Sequence, residues 1–146
     1  MPITIRLEGL SDVVGTLPKL PENIERSVIL QMSQRVFEEA YAGASRHSKT
    51  GALLASLYNR AIPNGREVGH DPQRAPHALF VNAGTRDHKV SPRDKKALRW
   101  ASGNEFFFSK GHVVKGYRGD AYMIGALTTT LREFQSIVDR AFKEAT

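Results

Sequence analysis

The residues of this chain that most readily do chemistry at neutral pH are five histidines, unaccompanied by cysteine: His47, His70, His77, His88 and His112. They lie far apart, and no His-Glu-x-x-His pair or other spacing typical of metal ligands occurs. His70, Asp71 and His77 could converge with His88 or His112 in a metal or nuclease site. Loop or half-buried histidines explain the same residues with fewer assumptions, so we predict no metal and no cofactor.

Two other reaction classes lack their sequence signatures. A nucleophile elbow requires Gly-x-Ser-x-Gly, and a phosphate-binding loop requires Gly-x-x-x-x-Gly-Lys-Ser/Thr. Neither pattern occurs in the chain. We therefore predict that the protein is not an enzyme.

A dense group of cationic side chains lies between residues 86 and 99. It consists of Arg86, Lys89, Arg93, Lys95, Lys96 and Arg99. Cations at this spacing could follow a phosphate backbone without reading bases, which makes a nucleic-acid-binding module the alternative function. Asp87 and Asp94 dilute the group, and a solvated surface or a loop that docks on an acidic neighbouring subunit is the reading we favour.

Aromatic residues follow the cationic group closely: Trp100, Phe106, Phe107 and Phe108. Consecutive residues of a strand point to opposite faces, so the three phenylalanines cannot share one side. Such rings could stack on the bases of a single-stranded nucleic acid. We favour packing in the core or in a subunit interface.

The first half of the chain predicts a strand, a long helix and a hairpin. Ile3, Ile5 and Leu7 alternate with polar residues, which is typical of a half-buried strand. Pro21 and Glu22 suit the first turn of a helix that fades between residues 43 and 48, and the segment 10–20 is ambiguous between loop and short helix. Along the helix, apolar residues recur with a spacing of four, which predicts one buried stripe: Ile24, Val28, Met32, Val36, Ala40 and Ala44. The strands 57–62 and 66–69 flank Pro-Asn-Gly, whose Asn-Gly pair supplies the positive φ angles of a tight turn.

The second half predicts further short strands and one long helix. Residues 77–83 are apolar enough for a buried strand or one helical turn. Strands are expected at 88–90, 97–100 and 105–108, with Ser102, Gly103 and Asn104 as the turn between the last two. A final helix is expected at about 121–145, and its apolar face includes Ile124, Leu127 and Leu131. The sum is an α+β fold, with a small antiparallel β-sheet packed against two long helices, one N-terminal and one C-terminal.

Composition indicates one soluble domain. The chain has 146 residues, of which 40% are hydrophobic, and we take 1–146 as a single unit. No apolar run is long enough to span a membrane, and the start does not resemble a signal peptide. The absence of cysteine suits assembly in a reducing cytoplasm, and the formal net charge of +6 favours polyanionic partners.

The order of several segments resembles the gene-ten-like family of head-to-tail joining or tail-completion proteins of lambdoid long-tailed phages. The matching segments, which together span most of the chain, are 49–57, 77–85, 95–100, 106–108 and 120–126. Within them, Thr50-Gly51 begins a segment similar to the family's Thr-Gly-x-Leu-x-x-Ser pattern. Asn82 and Ala83 depart from the acidic and aromatic residues that the family often has there.

This resemblance implies a structural virion protein at the neck of the phage or at the top of its tail tube. It implies self-association into a ring, of six copies, that joins or completes the tail. The implied partners are sister subunits, adjoining neck and tail proteins and passing double-stranded DNA, with no membrane. The implied location is the virion, and the host cytoplasm during assembly.

Overall fold

The computed structural model describes residues 3–8 and 21–146, and shows a mixed arrangement of helices and small antiparallel sheets. The predicted ambiguity over segment 10–20 lies outside the described residues. The body combines helices α1 (Glu22–Ser45), α2 (Ala52–Ala55), α3 (Ala78–Ala83), α4 (Tyr122–Arg132) and α5 (Phe134–Ala145) with strands β1 (Thr4–Glu8), β2 (Leu57–Ile62) and β3 (Gly65–His70).

Helix α1 is the central element of the body. Its predicted apolar stripe is confirmed, since the following residues are all buried: Ile24, Val28, Met32, Val36, Ala40 and Ala44. The C-terminal half of α1 packs on the sheet and α4, and its N-terminal half packs on α5 through Ile137 and Ala141. No helix in the described ranges is long and apolar enough to cross a membrane.

The sheet of the body has the order β1-β3-β2, with antiparallel pairing throughout. The hairpin prediction is confirmed, but the predicted turn geometry is wrong. Ile62 pairs with Gly65, so Pro63 and Asn64 form the loop, and neither Asn64 nor Gly65 has a positive φ angle. Pro63 restricts its own φ to negative values, which excludes the mirror-image turn that Asn-Gly would favour.

Gly65 is needed for a different reason. A Cβ atom there would lie 1.8 Å from the carbonyl oxygen of Leu7, at the point where β1 pairs with β3 and Glu8 lies opposite Gly65. The glycine therefore permits the close approach of the N-terminal strand.

The predicted single C-terminal helix is two shorter helices. Glu133, at φ −91° and ψ 0°, separates α4 from α5. The break allows α4 to follow one half of α1 and α5 the other. As a result the predicted apolar face is partly wrong: Ile124 and Leu131 are exposed, and Tyr122, Met123, Ala126 and Thr130 are buried instead.

Strands of the second half do not join the sheet of the body, which corrects the expectation of one sheet. They are β4 (His88–Val90), β5 (Leu98–Ser102), β6 (Glu105–Ser109) and β7 (His112–Val114), and they form two separate two-stranded ladders. Residues 77–83, left open between strand and helix, form α3 just before them. In the described residues β4 pairs with β7 and β5 pairs with β6, so these four strands form one long excursion of the chain that is separate from the sheet of the body.

Candidate functional site

The excursion from Gly84 to Gly119, which we call the arm, is a two-stranded antiparallel ribbon. Gly84 bridges to Arg118 at its base, β4 pairs with β7 next, and β5 pairs with β6 at its end. The terminal turn is Gly103-Asn104, with Gly103 at φ +62°. Between the two ladders, residues 91–97 form a loop opposite Lys110 and Gly111.

Glycines bring the two chain segments together at the base of the arm. A Cβ atom at Gly84 would lie 2.4 Å from the carbonyl oxygen of Tyr117 and 2.5 Å from the nitrogen of Gly119, and Gly84 has φ +83°. A Cβ atom at Gly119 or Gly116 would meet backbone atoms at 2.4 Å as well. Only glycine fits such contacts without displacement of the backbone.

Hydrogen bonds close the base of the arm and join the body segments on either side of it. The backbone N–H of Thr85 donates to the carbonyl oxygen of Tyr117 at 2.8 Å, and that of Gly116 donates to Oδ1 of Asp87 at 2.6 Å. The Oδ1 atom of Asn82 accepts from the N–H of Met123 at 3.0 Å, in the first turn of α4. Segments 77–85 and 120–126, distant in sequence, therefore meet at this base.

The aromatic residues of the arm lie on both of its faces. Trp100 pairs with Phe107 on one face, where the rings are stacked with centroids 5.9 Å apart, and His112 lies 5.4 Å from Trp100. Phe106 and Phe108 lie on the opposite face, where the guanidinium of Arg99 covers Phe106 at 4.0 Å. The prediction that the phenylalanines divide between two sides is confirmed.

These rings do not belong to the core, which excludes one of the two environments we favoured for them. Phe106 is 58% exposed and Phe108 67% exposed, and Trp100 and Phe107 on the other face are also exposed. The reason is that the arm contacts itself, and the helices of the body cover neither of its faces in the described part of the chain. A subunit interface remains the other expectation.

The arm carries the entire net charge of the protein. Nine of its residues are Lys or Arg and three are Asp or Glu, which leaves +6, whereas the remaining 12 cationic and 12 acidic residues balance. The six predicted cations all lie on the outgoing half of the arm: Arg86 precedes β4, Lys89 is in β4, Arg93, Lys95 and Lys96 are in the 91–97 loop, and Arg99 is in β5. The prediction missed Lys110, Lys115 and Arg118, which lie on the returning side of the arm. The pairing of this side with the outgoing side is the signal that could have indicated them.

The histidine with the most perturbed pKa is buried away from the arm. The imidazole of His70 lies 2.7 Å from Oγ of Ser56 and 2.8 Å from the hydroxyl of Tyr122. Ser56 Oγ donates its hydrogen to the carbonyl oxygen of Leu53, so His70 Nδ1–H donates to Ser56 and Tyr122 donates to Nε2. Desolvation lowers the pKa of His70 to about 4 and raises that of Tyr122 to about 12.

Ser56 and His70 are the residue types of a nucleophile and a base, but here their hydrogen bonds stabilise the fold. Ser56 and His70 are each 2% exposed, so no substrate reaches the hydroxyl. Both imidazole nitrogens already have partners, and the serine proton is directed at a carbonyl oxygen instead of the base. The triplet joins α2, β3 and α4.

The other histidines do not gather around a common point. His47 contacts Asp120 beside Arg46 just after the end of α1, and the hydrogen bonds from these two side chains lower the pKa of Asp120. In the ladder of β4 and β7, His88 pairs with Val114 and His112 pairs with Val90, so the two histidines do not lie opposite each other. Among residues 3–8 and 21–146, no group of three or more His, Asp or Glu side chains is placed to hold a metal ion.

A buried carboxylate lies on the outer face of the sheet. Glu67 is 2% exposed and accepts hydrogen bonds from Arg6 at 2.8 Å, Arg60 at 2.6 Å and the hydroxyl of Tyr58 at 2.9 Å. The hydrogen bond from Arg6 is the first cause that lowers the pKa of Glu67, and burial opposes it. Every oxygen of this carboxylate is occupied, so it fastens three strands together instead of forming a reactive site.

Comparison with known proteins found no match: no protein-family model, no curated protein and no solved structure is similar to this chain.

Proposed function

We propose that this chain is a non-enzymatic structural subunit that self-associates into a ring at the head-to-tail junction, or at the top of the tail tube, of a long-tailed phage. Its arm makes the principal contact with sister copies or adjoining neck and tail proteins. It is incorporated into the virion after assembly in the host cytoplasm.

The observation that carries the proposal is the exposure of aromatic residues on both faces of the arm. A two-stranded hairpin without a covering layer is at best marginally stable in water. Monomeric proteins also rarely expose large contiguous apolar patches. An arm with Trp100 and Phe107 on one face and Phe106 and Phe108 on the other gains stability when another subunit covers it.

The body offers a second apolar surface. Ile124 is 65% exposed and Leu131 54% exposed, and both lie on the side of α4 that faces away from α1. Residues seven apart occupy nearly the same side of a helix. Two separate apolar surfaces on one subunit suit head-to-tail association, which closes into a ring when the rotation between copies allows it.

The assignment to a phage neck rests on the sequence resemblance. Two of the resembling segments, 77–85 and 120–126, form the base of the arm, and 95–100 and 106–108 form its aromatic end. The resemblance therefore concentrates on the element that we assign to assembly. A ring of six copies is the stoichiometry that it implies.

Sedimentation velocity of the full chain over a range of concentrations tests the proposal. We expect discrete oligomers, seen as rings by electron microscopy, and a blue shift of the fluorescence of Trp100, the single tryptophan, as they form. The double variant Phe106→Thr/Phe108→Thr should remain monomeric. The control Tyr41→Gln removes an aromatic that is 46% exposed on α1, and should assemble normally.

A chain that stays monomeric at every concentration, and that also fails to bind purified tails of the phage that encodes it, contradicts the proposal. Gene order is an independent test. A position between head-connector and tail-tube genes supports the assignment, and a position among metabolic genes removes it.

A further inference from the structure

The cations of the arm differ from most arginines of the body in their partners. The following body arginines each form an ion pair with a carboxylate: Arg6, Arg26, Arg35, Arg46, Arg60 and Arg74. None of the nine arm cations has such a pair within the described ranges, and the guanidinium of Arg99 lies over the Phe106 ring instead. Like charges held close together without counterions repel one another, so the arm favours an anionic ligand.

The strand pairing distributes these cations along both edges of one ribbon. Arg93, Lys95 and Lys96 lie in the exposed 91–97 loop, and Lys110 lies on the chain segment directly opposite. Toward the base, Lys89 pairs with Val113, and Lys115 and Arg118 follow on the returning strand. A two-stranded ribbon is one of the shapes that the major groove of duplex DNA accepts, with the phosphates of both strands at its sides.

Three of the four aromatic side chains at the end of the arm, those of Trp100, Phe106 and Phe107, already have a ring or guanidinium partner. Trp100 stacks on Phe107 and contacts His112, and Arg99 covers Phe106. Stacking on the bases of a single strand requires open ring faces. Contact with phosphates requires only accessible cations, which the loop provides, and lysine is well suited to it as a compact point charge.

We infer that the arm is a site for duplex DNA, which it contacts through the phosphate backbone with the 91–97 loop and the cations of the opposite strand. Because the contact is to phosphates, it is independent of base sequence. The inference does not depend on the phage assignment, since the charges and their exposure belong to the single chain.

Fluorescence anisotropy of a labelled duplex, titrated with the full chain at several salt concentrations, tests the inference. On a logarithmic plot the affinity falls with salt by a slope of about 0.9 per phosphate contacted. The variant Arg93→Ala/Lys95→Ala/Lys96→Ala should lower that slope by about 3. Lys110→Ala/Lys115→Ala should lower it by about 2, which tests the part played by the opposite strand.

The matched control is Lys49→Ala/Arg132→Ala/Lys143→Ala, which removes three exposed cations from the body and lowers the net charge equally. Its slope and affinity should remain those of the unmodified protein. An equal loss in both triple variants means that overall charge, and not the arm, attracts DNA, and overturns the inference. Absence of duplex binding at low salt overturns it too.

Two competitors identify the source of the phosphates. If a single strand binds more tightly than the duplex, the inference that duplex DNA is the ligand is overturned. It is also overturned if anionic vesicles displace the duplex from the protein at equal phosphate concentration. Sedimentation of the loop variant separates this inference from the proposed function. If the loop variant assembles but does not bind DNA, whereas the unmodified chain does both, the inference and the proposed function both stand. If the unmodified chain assembles but does not bind DNA, only the present inference fails.

Discussion

Tyr122 donates its hydroxyl hydrogen to Nε2 of His70 across 2.8 Å, and both side chains are excluded from solvent. The two residues are 52 positions apart, one at the start of α4 and the other at the end of β3. Their hydrogen bond connects the sheet with the helix that follows the arm. The edge-on contact of the rings, with centroids 5.7 Å apart, adds to this connection.

Replacement of Tyr122 by phenylalanine should destabilise the body. The ring still fits, but Nε2 of His70 loses its donor in a buried site, which costs about 1 to 3 kcal/mol. Urea denaturation measures the change in the free energy of unfolding. Tyr117→Phe is the control, because Tyr117 is 46% exposed, and it should alter stability by less than about 0.5 kcal/mol. Equal stabilities of the two variants contradict the assigned hydrogen bond.

Stability should decrease as the pH falls from about 6.5 to about 4. Burial holds the pKa of His70 near 4, whereas the unfolded chain has the ordinary value of 6.5, so protons bind preferentially to the unfolded state in this interval. The His70 contribution is fully present above pH 6.5 and should diminish by on the order of 3 kcal/mol at pH 4.

Denaturation at a series of pH values measures this dependence, and His70→Gln should flatten it within the same interval. Proton resonances of the His70 ring provide a direct reading of its pKa. A titration of that ring near pH 6.5 contradicts the buried, neutral form. Because the pKa of Glu67 is lowered from its ordinary value of 4.5, this residue affects stability at a more acidic pH, below 4.5. Its effect can therefore be separated from that of His70.

Replacement of the buried Glu67 by glutamine should destabilise the protein more than replacement of an exposed carboxylate does. It removes the common acceptor of Arg6 and Arg60, although both arginines are over 60% exposed and solvent screens them in part. We expect a loss of roughly 2 kcal/mol in the free energy of unfolding. The comparison is Glu22→Gln, whose pair with Arg26 is 77% exposed on both sides and contributes less than about 1 kcal/mol.

Gly84→Ala and Gly125→Ala should have opposite effects on thermal unfolding. At Gly84 a methyl group collides with backbone at the base of the arm and meets a left-handed φ angle, so we expect a loss of about 2 kcal/mol or more. At Gly125, in α4, a methyl group finds open space, and the higher helix propensity of alanine should add about 0.5 to 1 kcal/mol. A neutral Gly84→Ala variant shows that the base is not tightly packed.

Local pattern was sufficient for several of the elements. The alternation from Ile3 to Leu7, the four-residue spacing from Ile24 to Ala44 and the turn residues Gly103-Asn104 depend on interactions between near neighbours in the chain. Each predicted strand or helix in these places is present in the structure. The division of the three phenylalanines between two faces followed from strand geometry in the same way.

The partners of these elements depended on contacts between distant residues. Nothing local distinguishes a strand that joins the sheet from one that enters the arm, and that difference arises where the glycines at 84 and 119 admit a close backbone contact. The break at Glu133 likewise reflects the length of α1, which two helices share. Burial of His70 and Glu67, and the gathering of all net charge on one exposed ribbon, are consequences of that packing and could be read only from the tertiary structure.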